Sequence, residues 1–522
     1  MTRSSSMIRT SFLAIALALS SAAAVAQDTS GGDVPSKEAK AEAPKPNPDQ
    51  VKASVEEDAQ PVKRSIPFHG RTLAYTVTPG HLTIRNDKGE PTASMFYTAY
   101  TMPASRGQRR PVTFLFNGGP GSSTMWLHMG SFGPIKVDAS SPETIPGPPF
   151  RYGPNPDTLL DITDLVFIDA PTTGLSRVLG KAEPKDFFGV DKDLGAFTKT
   201  IQRYLSKYQR WNDPKFIIGE SYGTTRAAGL SNSLLDAGVQ LNGIAFVSTV
   251  FNFADFQGDQ SLVNFLPTYA ADAWYHDAIP NKPPLEQFIQ QARDFASGPY
   301  ALALQKGNTI SDTDAQSIAQ QMSQLTGLSA DYIMRSHLRV DPDHFRRELL
   351  RGRHEIIGRI DSRYVGTEAN NVGEGTDYDP QGSAITGAFV AALNDYLFRD
   401  LGYKTPLIYR PNNYASIYGG DSNWDFTHHA PDGQQQIADT SVDLANAIRQ
   451  NPRMKILSVN GYYDLATPFH GAEYEFQHMA LEPNLQANIR YTYYPAGHMM
   501  YVDPTSARML KADFVQFYDS AL

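Results

Sequence analysis

Five residues constrain this chain more than any others. Gly219-Glu220-Ser221-Tyr222-Gly223 stands between a strand-like apolar run at 215–218 and a helix-like run at 224–235. A strand that turns into a helix within so few residues crowds its own backbone, and glycines at both flanks remove the Cβ atoms that would collide. The turn then presents Ser221 at the carboxyl end of the strand. The pentapeptide alone is a weak signal, and the strand before it and the helix after it are what make it a nucleophile elbow.

A serine hydroxyl is a poor nucleophile near neutral pH. It needs a base within hydrogen-bond reach, and a third group that holds the base in one tautomer. The run 455–460 reads as a buried strand, and Asp464 stands just past its carboxyl end. The alternating run 489–494 reads as another strand, out of which Pro495-Ala496-Gly497-His498 turns. Asp464 is therefore the expected orienting acid and His498 the expected general base. The order Ser221, Asp464, His498 is the chain order of α/β-hydrolases. Acyl transfer also needs backbone donors aimed at an oxyanion. The Tyr222 amide is one candidate, and the other lies in Asn117-Gly118-Gly119-Pro120-Gly121-Ser122-Ser123, which follows a strand-like run at 112–116.

These pieces, with Gly133-Pro134, Asp169-Ala170-Pro171 and Gly174-Leu175-Ser176, resemble the serine carboxypeptidases of peptidase family S10, in family order over the last four-fifths of the chain. The resemblance implies Ser221, Asp464 and His498 as catalytic triad and the amides of Gly119 and Tyr222 as oxyanion hole. It also implies Asn117, Gly118 and Glu220 as the site for the substrate's terminal carboxylate, peptides with a free C-terminus as substrates, and no cofactor or metal. Glu220 can donate to a carboxylate only while it carries its own proton, so binding should weaken as it ionises. The chain departs from the pattern at Ser131, where the family commonly has an acid, and at Ser122, where it commonly has cysteine. The first departure thins the expected carboxylate network and keeps an esterase or acyltransferase open as the alternative. The second fits a chain without cysteine, so no family disulfide transfers. A binding protein without activity is disfavoured because every catalytic position is filled.

The expected fold is an α/β-hydrolase: a mostly parallel central sheet, N-terminal antiparallel hairpins and a helical lid insertion. The 522 residues, 41% hydrophobic, suffice for one large core. Arg3 and Arg9 precede an apolar stretch too short to span a bilayer, and Ala24-Val25-Ala26 supplies small residues for cleavage, so 1–26 reads as a signal peptide. Its implication is an exported protein, periplasmic or secreted, with no membrane span after cleavage. Residues 27–63 are rich in Pro, Lys, Glu and Ala and read as a disordered leader. The first part of the hydrolase core is assigned to 64–255, with strands at 73–77, 81–84 and 93–101 and a covering helix carrying Leu194, Phe197, Ile201, Tyr204, Leu205 and Tyr208. Helical periods from 256 to 404 mark the lid, which would roof the strand ends, and 405–522 returns to the core. A net charge of -9 gives no reason to expect nucleic acid.

Other residues carry a bland reading. His428-His429 with Asp421 and Asp425 matches no zinc spacing. Arg346, Arg347, Arg351, Arg353 and Arg359, interleaved with Glu348 and Glu355, have the pattern of a solvated helix face, with anion steering as the minority reading. Tyr462, Tyr463, Tyr493 and Tyr494 are read evenly as core or as substrate-pocket residues.

Overall fold

The computed structural model describes residues 53–104, 107, 109–139, 141–419 and 423–522. The expected signal peptide, most of the expected leader and Asp421 lie outside them. At the centre is a ten-stranded sheet in the order Val62–Phe68, Arg71–Arg85, Pro91–Thr101, Asp164–Ile168, Val112–Phe116, Lys215–Glu220, Gly243–Val247, Lys455–Gly461, Ile489–Tyr494, with Arg177–Val178 pairing beside Pro91–Thr101. Pairing is antiparallel as far as the junction of Pro91–Thr101 with Asp164–Ile168, and parallel from there to the far edge. The strand sequences explain the division. Val112–Phe116 and Gly243–Val247 are predominantly apolar and buried throughout, as strands covered on both faces must be, whereas the first half of Arg71–Arg85 alternates buried with exposed.

The two short strands expected at 73–77 and 81–84 are one, running through Pro79-Gly80. A third segment makes this possible. Ala59 bridges Gly80, Gln60 N donates to Pro79 O at 3.0 Å, and His81 N donates to Asp58 O at 3.1 Å. A Cβ on Gly80 would lie 2.5 Å from Asp58 O, so glycine is what lets this backbone approach. Residues 53–63 are consequently not the end of a flexible leader: Glu57 also bonds Arg203 at 2.6 Å and Asp58 bonds the His81 ring at 2.8 Å.

Helices Val190–Lys207 and Tyr222–Asp236 cover one face of the sheet, and the expected Leu194, Phe197, Ile201, Tyr204 and Leu205 are buried there. Met125–Gly130, Pro380–Asn394 and Pro504–Ala521 cover the other. Each large apolar side chain withdrawn in this way is worth about 1.5–3 kcal/mol.

The insertion has its own core, in which Phe288, Ala292 and Phe295 of Leu285–Phe295 meet Phe265, Tyr269 and Phe345. That core ends near Ile357. Helix Pro380–Asn394, expected within the lid, belongs to the main core through Ile385, Phe389 and Leu393. Gly130 makes room for it, since a Cβ there would stand 2.9 Å from the Phe389 ring. An apolar stripe shows that a helix packs, but not against which neighbour.

Candidate active site

Ser221 ends strand Lys215–Glu220 and opens helix Tyr222–Asp236 with φ 60° and ψ -132°, a region costly for any residue but glycine, by about 1–3 kcal/mol. Its surroundings hold it there. A Cβ on Gly219 would lie 2.1 Å from Gly223 O, and one on Gly118 would lie 2.4 Å from Tyr222 N, so the glycine loop rests directly on the elbow. Arg226, fully buried, pins that loop from below by donating to Asn117 O at 2.7 Å. Its charge is matched by Asp193 at 2.6 Å and its guanidinium lies 4.2 Å from the Phe197 ring centre. Among the described residues no backbone acceptor takes the amides of Gly119 or Tyr222, the two expected oxyanion donors.

Asp464 is fully buried and accepts from four donors: Ala466 N at 2.8 Å, Thr467 N at 2.9 Å, Thr467 Oγ1 at 2.8 Å and His498 Nδ1 at 2.8 Å. Such a carboxylate fixes both the orientation and the tautomer of the imidazole. Burial disfavours the charged ring, but the charge and hydrogen bond of Asp464, aided by Glu220, raise the His498 pKa above its ordinary value, with Arg359 opposing. Ser221 and His498 line one cavity, although among the described residues no hydrogen bond joins them. Contacts of this kind often tighten only when substrate is bound.

Glu220 is 3% exposed. Burial is the main influence and pushes its pKa up to about 7, against the His498 charge and hydrogen bonds from Tyr501 and Asn117. Tyr501 Oη donates to Glu220 Oε2 at 2.6 Å. The Asn117 side chain is oriented by accepting from Leu127 N at 3.0 Å. Ser131 does not reach this site, because its hydroxyl donates to Leu127 O at 2.6 Å. The hydroxyl bonded to Glu220 is that of Tyr501. Asp169 acts as a clamp instead, accepting from Thr124 N at 2.9 Å and Tyr409 Oη at 3.0 Å, which ties the end of the glycine loop to the neighbouring strand.

The cavity, of about 280 Å³, is lined by Ser221, Glu220, Asn117, Gly118, Gly119 and His498, and also by Trp126, Ile385, Met499, Arg346 and Arg359. Arg346 and Arg347 are not on a solvated face. They are 5% and 2% exposed, paired with Asp343 and Glu368, which reach them from outside the basic run. His428 lies between Asp191 at 2.6 Å and Asp443 at 2.7 Å, and although burial works against the charged ring, these carboxylates raise its pKa to about 9. It belongs to an ionic cluster. Tyr462, Tyr463 and Tyr494 are core residues, and none of the four tyrosines lines the cavity. Arg226, Thr467 and Tyr501 were missed from the sequence, where nothing distinguishes them from ordinary helix and loop residues.

A family model described as serine carboxypeptidase, peptidase S10, matches residues 68–335. Asp464 and His498 fall outside that stretch. Serine carboxypeptidase-like 51 of Arabidopsis thaliana is 32% identical over 157 residues, covering 28% of this chain and 30% of the relative. Retinoid-inducible serine carboxypeptidase of Rattus norvegicus is 31% identical over 159 residues, covering 30% of this chain and 31% of the relative. The chain thus spans under a third of the length of these curated relatives. The crystal structure of a prohormone-processing carboxypeptidase from Saccharomyces cerevisiae aligns over 85% of this chain and 91% of its own, with a TM-score of 0.53 and 14% identity. At that identity the likeness speaks for the fold, an α/β-hydrolase with a mixed, mostly parallel sheet and antiparallel strands at its N-terminal side.

Proposed function

The chain belongs to the serine carboxypeptidase family, and from that premise we propose that it releases C-terminal amino acids from peptides through an acyl-enzyme intermediate. Ser221 Oγ attacks the scissile carbonyl while His498 takes the hydroxyl proton, and Asp464 stabilises the imidazolium that forms. The amides of Gly119 and Tyr222 receive the oxyanion. Collapse breaks the C–N bond as His498 passes its proton to the leaving amine, and water repeats the sequence on the acyl-serine. Asn117, Gly118 and protonated Glu220 hold the terminal carboxylate, which selects chain ends over internal bonds.

The observation that carries this reading is the company Ser221 keeps. One cavity holds it with a His498 already bonded to Asp464 at 2.8 Å and with a buried glutamate, Glu220, that accepts from Tyr501 Oη at 2.6 Å. Timed release of amino acids from matched peptides with free and amidated C-termini tests it. Release from the acids alone, lost in Ser221→Ala together with fluorophosphonate labelling, supports the proposal; release of internal fragments refutes it. The esterase or acyltransferase reading draws on Ser131, whose hydroxyl is spent on Leu127 O and contributes nothing to Glu220. Faster turnover of esters with blocked ends than of free peptide acids would favour it. Export to the periplasm or medium is part of the proposal, supported by Arg3, Arg9 and the apolar stretch after them. N-terminal sequencing of mature protein should begin at Gln27.

A further inference from the structure

The cavity holds a cation that this reaction does not use. Arg359 lines it with Ser221, Glu220 and His498 and is only partly buried. Its backbone is engaged, the N–H donating to Asp379 and the carbonyl accepting from Leu465 N at 3.0 Å. Its guanidinium, among the described residues, has neither an ion pair nor a hydrogen bond. The contrast with Arg346 is direct. Arg346 lines the same cavity but is spent on Asp343 at 3.1 Å and Ile357 O at 3.3 Å, with Asp379 at 4.0 Å. Arg346, Asp343, Asp379, Asp464 and His498 set the field at Arg359. Asp464 is already bonded to His498, and Asp343 and Asp379 to Arg346, so none is a dedicated counter-ion. A guanidinium stays charged under such conditions, and one without a partner in the wall of a cavity is stabilised when an anion enters.

We propose that Arg359 reads the carboxylate of an acidic side chain on the substrate, making aspartate or glutamate preferred at one of the two residues flanking the scissile bond. The proposal rests on the carboxypeptidase reading for where the peptide lies. The terminal carboxylate is a different anion. That anion is assigned to Asn117, Gly118 and Glu220, which leaves the Arg359 guanidinium for a second one in the same cavity. Arg359 acts on Tyr414 and Tyr418 as well, and shares Tyr414 with Glu220 across the cavity. Trp126, Ile385 and Met499 offer apolar surface for the methylenes of an acidic side chain. Gln381, 1% exposed and in the same wall, has its Oε1 unpartnered among the described residues. The same amide turned over presents N–H donors to an anion.

Blocked dipeptides carrying Glu or its neutral isostere Gln, at either position in turn, test the proposal. The wild-type protein should favour Glu in kcat/KM by roughly tenfold to a hundredfold at one position, mainly through KM and less so at high salt. The responsive position identifies which residue supplies the anion. Arg359→Gln should bring the Glu-to-Gln ratio to about one, and Arg359→Glu should turn the preference toward Lys. A wild-type ratio near one at both positions, or a preference that survives Arg359→Gln, overturns the proposal. If no peptide is cleaved, thermal shift with N-acetylglutamate against N-acetylglutamine decides it without turnover. A larger shift with the glutamate, lost in Arg359→Gln, keeps the anion site while removing the carboxypeptidase reading; equal shifts overturn the site.

Discussion

Glutamine in place of Glu220 separates the role of its proton from that of its shape. Glu220 has its pKa raised from 4.5 to about 7, chiefly by burial. In the proposed complex it donates to the substrate's carboxylate, so the bound form requires the proton. At about pH 9, two units above that value, only about one molecule in a hundred retains it, and KM for a peptide acid should stand about a hundredfold above its acidic plateau, a loss of about 2.7 kcal/mol. A glutamine amide donates at every pH, so the alkaline rise in KM should vanish in Glu220→Gln. The acidic limb should stay in place, because Glu220 is already neutral there in the wild type. Stability supplies an independent readout. A carboxyl with a raised folded pKa contributes stability that is fully present below its unfolded value and is lost as pH rises through its folded value. The window therefore runs from 4.5 to about 7, and it corresponds to about 3 kcal/mol. Wild-type Tm should fall across that window and the variant's should fall less. Steady-state KM on free and amidated peptides with melting curves at each pH is the assay. A wild-type KM that stays flat, or a rise of equal size in the variant, refutes the reasoning.

Three further substitutions probe the supporting residues. Tyr501→Phe removes a 2.6 Å bond that lowers the Glu220 pKa, so the alkaline rise in KM should shift upward by roughly one pH unit, read in the same titration. Gly118→Ala places a methyl 2.4 Å from Tyr222 N and must push the glycine loop off the elbow, so kcat should fall on the order of 10² to 10³ while the melting transition stays cooperative. Thr467→Val removes the hydroxyl that Asp464 accepts at 2.8 Å but leaves its other three donors, so kcat/KM should drop about tenfold with labelling of Ser221 slowed but retained.

What the sequence discloses is what local order encodes. Ser221 is legible because strand, glycine, serine, glycine and helix follow one another; Asp464 and His498 are legible because each closely follows a strand. The sheet is legible where burial on both faces makes a strand uniformly apolar. Arg226, Tyr501 and Thr467 have no such signature. Arg226 meets Asn117 across 109 positions and Tyr501 meets Glu220 across 281, so their meaning exists only after the chain is folded. The basic run misleads for the same reason. Its own Glu348 pairs with Arg351, whereas Arg346 and Arg347 bury against Asp343 and Glu368. Pro79-Gly80 reads as a break because the segment that pairs with it lies about twenty residues away, in a stretch whose composition suggests no structure at all.

The least legible relation joins the insertion to the chemistry. Residues 359–362 lie in the region read as a lid, yet they bind both loops that carry Asp464 and His498. Leu465 N donates to Arg359 O at 3.0 Å, Ser362 N to Tyr463 O at 3.0 Å, His498 N to Ile360 O at 2.7 Å and Gly497 N to Asp361 Oδ2 at 3.1 Å. The strap is anchored in turn to the main core, since Asp379, which caps helix Pro380–Asn394, accepts from Ile360 N at 3.1 Å. At about 0.5–1.5 kcal/mol each these bonds add little to the stability of a large domain. Their weight is geometric, because a base displaced by about 1 Å loses on the order of a hundredfold in rate. The insertion therefore cannot be treated as a cover laid over a complete active site. Excising it would take away the acceptors that fix the base and its orienting acid, and any motion that admits a peptide has to leave residues 359–362 in place.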